Sequence, residues 1–237
     1  DNRDLHSFPT RRSSDLAAHR HGALLLVDGA HGAHFPFSDA LPQGLGGVAD
    51  LFAHSQHKTM DALTQAASLH LGECRIGEER VRRALAMTET TSPSYLLMAS
   101  LNWSVYMAGR RDWSAQAARM EALVPLIELI QGLKVPETPQ KCGIAQRDKT
   151  RLIIDVSGRG LTGCEAQAAL EKAGVYIEMS DTRRLVLITT PDDDPIWYDK
   201  LLGALAALPQ KESRQLETAD ESVWSDSVRQ KRTLREA

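Results

Sequence analysis

Ser55-Gln56-His57-Lys58-Thr59-Met60-Asp61-Ala62-Leu63-Thr64-Gln65 is the stretch whose reading decides the fold. The short apolar run before it, Ala49–Ala53, predicts a buried strand, so Lys58 stands in a crevice where that strand ends and the chain turns. Upstream, Ala23-Leu24-Leu25-Leu26-Val27 has the same form and ends in Asp28, which puts a carboxylate at the carboxyl edge of a neighbouring strand. One lysine and one aspartate then face a common cleft.

An amine that can hold a cofactor covalently and an anion that can hold a positive charge on a ring nitrogen together suit pyridoxal phosphate. Val27-Asp28-Gly29-Ala30-His31-Gly32-Ala33-His34-Phe35, then Ser55–Thr59, Ala62–Gln65, Leu69-His70 and Thr91–Leu101 resemble, in that order, the ornithine/lysine/arginine decarboxylases of the shorter bacterial branch. The likeness runs with gaps from about residue 24 to about residue 208. These are fold-type-I pyridoxal-phosphate enzymes. The resemblance implies an α/β chain: the C-terminal part of a fold-type-I, aspartate aminotransferase-like large domain, followed by a small α+β domain. It implies decarboxylation of arginine, lysine or ornithine to the amine and CO2, a place in polyamine biosynthesis, and a homodimer or higher homo-oligomer.

By the same resemblance Lys58 is the amine that attaches the cofactor, which requires a neutral amine and hence partial burial and a nearby cation. Asp28 pairs with the protonated ring nitrogen, a charge-assisted bond that an amide would not supply. Ser55 and His57 are phosphate-side contacts and Ala30 packs against the ring; His31 and His34 alike are candidates to approach substrate or cofactor, against the plainer reading of isolated histidines as satisfied structural residues. Thr91 and Ser92 match the segment that reaches the cofactor phosphate of the neighbouring subunit. Each has a plainer reading: a solvated lysine, an Asp-Gly turn at Asp28-Gly29, strand-end polar residues, and a helix N-cap at Ser92. Two positions depart from the family, Gly29 where an acidic or small polar residue is usual and Asp61 where glycine or proline is.

Other fold-type-I reactions, transamination or C–S or C–C cleavage, would use the same Lys58 and Asp28, and an inactive remnant is a further reading. A metal-dependent hydrolase is disfavoured: His31-x-x-His34 and His54-x-x-His57 with Asp28 offer N and O ligands, but the spacing does not fit one helical face and Lys58 adjoins a supposed ligand. No metal ligand set is assigned.

Composition is that of an ordinary globular chain, with 237 residues, 42% hydrophobic and 25% charged, enough to bury a core and form more than one unit. A net charge of −3 gives no electrostatic reason to expect nucleic acid or an anionic membrane, and no apolar run approaches a membrane span. Cys74, Cys142 and Cys164 are far apart, without C-x-x-C spacing, so the simplest setting is a reducing cytoplasm.

Asp1–Leu16 has neither helical nor strand periodicity, and His6–Leu16 reverse-translates into what resembles a common short-read sequencing adapter. Residues 1–16 are read as non-biological, with the glycine-rich phosphate loop expected to be missing. Residues 17–115 read as a partial cofactor-binding large domain, 116–208 as a linking helix and small α+β domain, and 209–237 as a charged, truncated tail. After the two strands come a third, Ala66–Leu71, a helix Gly77–Met87, and a helix to Ala108 opened by Ser92 as N-cap with Pro93 at its first position. A helix Trp113–Gln131 follows, where Pro125 predicts a kink or an earlier stop. Then come strand Arg151–Asp155, helix Thr162–Ala173 with a Thr162–Glu165 capping box, strands Val175–Met179 and Leu185–Thr189, and helix Pro195–Leu208 with Asp194 as N-cap.

Overall fold

Two parallel strands lead into the lysine. β1 (Leu26–Asp28) and β2 (Leu51–His54) pair in the register Leu26↔Leu51, Val27↔Phe52 and Asp28↔Ala53. Parallel neighbours need a crossover connection, supplied by residues 29–50, with 3-10 turns at Phe35–Phe37 and Leu45–Gly47. β2 is then joined to β3 (Ser68–Leu71), antiparallel, through one helical turn, α1 (Gln56–Thr59), and the loop after it. β2 is not the fully buried strand that an apolar run predicts. It alternates, burying Phe52 and His54 while Ala53 is exposed, because an antiparallel edge pair covers one face only.

The computed structural model describes residues 18–72, 76–136 and 146–212. The adapter-like Asp1–Leu16, Cys74, Cys142, the middle of the Lys134–Lys149 connection and the tail beyond residue 212 lie outside the described residues.

The chain divides into two compact units. The first takes its described residues from Asp1–Pro125, Pro136–Leu152 and Ile188–Trp197, the second from Leu126–Val135, Ile153–Leu187 and Tyr198–Ala237. In the first, α2 (Glu78–Ala86), α3 (Tyr95–Ala108) and the start of α4 (Trp113–Glu128) follow the sheet. Its core gathers Ala33, Leu41, Met60, Ala108 and Trp113, with Phe35 and Phe37 packed against it. The Trp113 indole donates to the Ala108 carbonyl at 2.9 Å, satisfying its one polar atom.

Two helix readings are corrected. α3 begins at Tyr95, and its N-cap is Ser94, whose hydroxyl accepts from Leu97 N–H. Ser92 lies two residues too early, and Pro93 precedes the helix, where its ring disfavours a helical conformation at Ser92. Pro125 sits inside α4, which continues to Glu128: the helix ends short of the expected Gln131, but not at the proline. α3 is apolar almost all round: only Ser104 and Ala108 are buried, while Tyr95, Leu96, Trp103 and Tyr106 are exposed.

β4 (Arg151–Asp155), β5 (Met179–Ser180) and β6 (Arg184–Ile188) form a sheet in the order β4-β6-β5, with α5 (Gly163–Lys172) and α6 (Pro195–Ala206); apart from Arg151, Leu152, Ile188 and the start of α6, these elements belong to the second unit. The α5 start is as its pattern predicts: Thr162 accepts from Glu165 N–H while the Glu165 carboxylate accepts from Thr162 N–H. Asp194 accepts from Ile196 N–H at the head of α6. The Val175–Met179 strand is displaced to Met179–Ser180, since only there does the segment find a partner, Met179↔Val186. Ile154, Leu161, Leu170, Leu185 and Leu205 are fully buried within this unit.

Candidate active site

Asp28 and Lys58 are brought to one end of one sheet. Asp28 ends β1, opposite Ala53 of β2, and the chain beyond both strands stays stitched together, Gly29 N–H donating to Ala53 carbonyl at 3.0 Å and Ser55 N–H to Ala30 carbonyl at 3.2 Å. Asp28, Ala30, Ser55 and Lys58 therefore share the carboxyl edge of parallel strands, where open α/β sheets place ligands. Asp28 is exposed, and its carboxylate accepts from Ala30 N–H at 3.0 Å, the turn bond that its Asp-Gly sequence also predicts. Gly29 is explained by packing: a Cβ there would come within 2.6 Å of Leu45 Cδ1 and 3.1 Å of the His54 ring, so Leu45 fills the space a larger residue would take.

Lys58 rides on α1 and lines a cavity of about 100 Å³, but it is exposed, not partly buried as a neutral amine would require. His57, Thr59, Met60 and Asp61 line it from the same turn, and His34, Arg111, Trp113, Thr150, Arg151 and Ile188–Pro191 from elsewhere in the first unit. The lining is rich in hydroxyls and cations, the donor set that complements a phosphate or carboxylate. Two of its polar atoms, Thr59 Oγ1 and Arg111 Nε, are buried without a hydrogen-bond partner among the described residues. Buried donors left without partners are costly, and a water, an ion or a ligand can complete them. The residues present thus fit an anionic cofactor held by Lys58.

His57 Nδ1 lies 2.9 Å from the Ala66 carbonyl, which can only accept, so His57 carries its proton there. His34 is buried against Trp113 and Phe35, with Nε2 directed at Asp148 and Thr150. Burial alone would push the Asp148 carboxyl up, but hydrogen bonds from His34 and Thr150 outweigh it and hold it below the usual carboxylate range. Arg111 binds both the Asp61 and Asp192 carboxylates, which overcome the effect of burial and raise its pKa. Asp61, the second departure from the family pattern, is thereby one arm of a clamp.

Behind the turn, Phe52, His54 and His70 pack across β2 and β3, with the Phe52 and His70 rings stacked 4.8 Å apart in nearly parallel planes. Burial, then repulsion from His70 and His34, pushes His54 down to about 4, and burial also lowers His70. The four histidines of the disfavoured metal reading face different partners, and the described residues hold no cluster of three or more metal-ligating side chains.

His31 is exposed and bonded to Arg151 at 2.9 Å. Thr91 and Ser92 are exposed before α3 and do not line the cavity. Sequence reasoning missed Arg111, Trp113, Thr150, Arg151, Thr189 and Thr190, contributed from 50 to 130 residues away. The available signal was a polar pair, Thr150-Arg151, opening an apolar strand, and another, Thr189-Thr190, closing one.

Residues 8–134, just over half of the chain, match the family described as Orn/Lys/Arg decarboxylase, major domain. The chain is 34% identical over 205 residues to an arginine decarboxylase of Bacillus subtilis (strain 168), covering 84% of this chain and 42% of that protein. It thus spans less than half the length of that relative. Among solved structures it is similar to the constitutive lysine decarboxylase of E. coli, with a TM-score of 0.62 at 19% identity over 76% of this chain and 32% of that one. It is also similar to SPT with PLP, with a TM-score of 0.59 at 18% identity over 83% of this chain and 50% of the other. The fold is that of the fold-type-I pyridoxal-phosphate enzymes. Among the described residues no helix is long and apolar enough to cross a membrane.

Proposed function

We propose a function from membership: the chain belongs to the Orn/Lys/Arg decarboxylase family, and its site fits best the pyridoxal-phosphate-dependent decarboxylation of a basic amino acid, arginine, lysine or ornithine, to the amine and CO2. The observation that carries this reading is the placement of Lys58 in a donor-rich cavity, one turn beyond a strand whose parallel neighbour ends in Asp28. When bound, pyridoxal phosphate supplies a covalent hold on the substrate amine and an electron sink for the pair left as CO2 departs.

The chain's own residues divide the remaining work. Lys58 is the attachment amine, and Asp28 keeps a ring nitrogen protonated. Ser55 and His57 face the phosphate, and Ala30 leaves room for the ring. His31 contacts substrate or cofactor, and Thr91 and Ser92 act toward a neighbouring subunit. Cavity walls built from Trp113, Met60 and Ile188 exclude water around the reacting groups. Residues 17–115 form the partial cofactor domain and 116–208 the linking helix and small domain. The intact protein is a cytoplasmic homodimer or higher oligomer serving polyamine biosynthesis.

The test is direct. The product of the intact gene, reconstituted with pyridoxal phosphate, is offered arginine, lysine and ornithine in turn. Release of CO2 from at least one is expected; a cofactor-loaded protein that releases none overturns the proposal.

A further inference from the structure

Arg151 opens β4 and reaches two groups at once. Its Nη2 lies 2.9 Å from His31 Nδ1, and its Nε lies 3.4 Å from an Asp148 carboxylate oxygen. The arginine is largely buried, as is Asp148, and it lines the cavity that holds Lys58. Asp148 is itself fixed: Thr150 donates to it from both backbone N–H at 2.9 Å and hydroxyl at 2.7 Å, and His34 Nε2 approaches it at 3.4 Å. The guanidinium therefore cannot swing away from His31 without abandoning a buried carboxylate.

A guanidinium only donates. The nitrogen it faces must then be an acceptor, which an imidazolium does not have and a neutral imidazole has only on its unprotonated nitrogen. We propose that Arg151 is a positioning residue: by donating to Nδ1 it holds His31 neutral, with its proton on Nε2. His57 is the opposite case, its Nδ1 protonated by contact with the Ala66 carbonyl. The two histidines that flank the Asp28 and Lys58 strand ends thus carry opposite tautomers, set by an arginine in one case and a carbonyl in the other.

This assignment deepens the decarboxylase reading and rests on it for the use made of His31, whereas the tautomer itself is a property of the chain without cofactor. The test is long-range nitrogen–proton NMR on the histidine-labelled chain. His31 is expected as a single Nε2–H neutral tautomer, Arg151→Met as a mixture of both, and Arg151→Lys as an intermediate case. A wild-type His31 that is protonated on Nδ1, or a tautomer unchanged in Arg151→Met, overturns the assignment. The wild-type spectrum alone decides it if a variant fails to fold. In the loaded enzyme Arg151→Met is expected to lower kcat about tenfold or more with KM little changed, and an unchanged kcat overturns the positioning role. The expected tautomer with no CO2 release contradicts only the decarboxylase reading. CO2 release with the wrong tautomer contradicts only this assignment.

Discussion

The helix Gly163–Lys172 and the turn Gln56–Thr59 both start behind a hydroxyl residue, and they part company there. Thr162 spends its hydroxyl on Glu165 N–H and receives the Glu165 carboxylate on its own N–H, whereas Ser55 makes no side-chain cap bond. Beyond the cap, α5 buries Ala166 and Leu170 in a core. The stretch from His54 to Thr59 instead keeps three buried polar atoms, His54 Nε2, Gln56 Oε1 and Thr59 Oγ1, without hydrogen-bond partners among the described residues. A segment whose groups are all answered internally serves stability, while Thr59, the one of these three residues that lines the cavity, leaves a buried hydroxyl there for something bound.

If that contrast is right, substitutions in the second unit cost stability, and those around Lys58 cost function. The largest stability effect belongs to Leu170→Ala, which empties a fully buried site in the second unit and is expected to lower the unfolding free energy by about 3 kcal/mol in urea titration. Next is Gly132→Ala. Gly132 has φ +81°, and a Cβ would come within 2.7 Å of the Gly158 carbonyl oxygen, so about 2 kcal/mol is expected from backbone strain and contact. Thr162→Ala removes half of the capping box and is expected to cost about 1 kcal/mol, read from the thermal midpoint.

The first unit answers to pH instead. His54 is held at about 4 against an ordinary 6.5, and His70 is lowered too. Between those values the unfolded chain binds protons that the folded chain refuses, so stability falls as pH drops from about 6.5 to about 4 and levels off below. Allowing for solvent screening, the loss is about 1 kcal/mol, and His54→Gln should flatten the slope in urea midpoints taken at stepped pH.

What could be read in the sequence follows the same divide. Thr162–Glu165, Asp194-Pro195 and Arg151–Asp155 are decided by neighbours within a few residues, and all three form where their patterns place them. Ser92 and Ser94 flank Pro93 as two possible caps, and only the register of α3 selects Ser94. The Val175–Met179 run has strand character throughout, but the available partner in β6 lets only its end pair. Asp28 and Lys58 were legible because each follows its own strand. Arg111, Thr150 and Arg151 were not, because nothing local in Asp148-Lys149-Thr150-Arg151 shows that the chain returns to His31 and His34 more than a hundred residues earlier.

Lys58→Ala has the smallest expected effect on stability, within about 0.5 kcal/mol, since the side chain is exposed. It is also the substitution on which the functional account depends. The deciding measurement is reduction of the cofactor-loaded protein with borohydride, followed by digestion and mass spectrometry. The account predicts a pyridoxyl group on the peptide that carries Lys58 and none on any peptide of Lys58→Ala. A loaded protein labelled at another lysine, or labelled equally after the substitution, would contradict it.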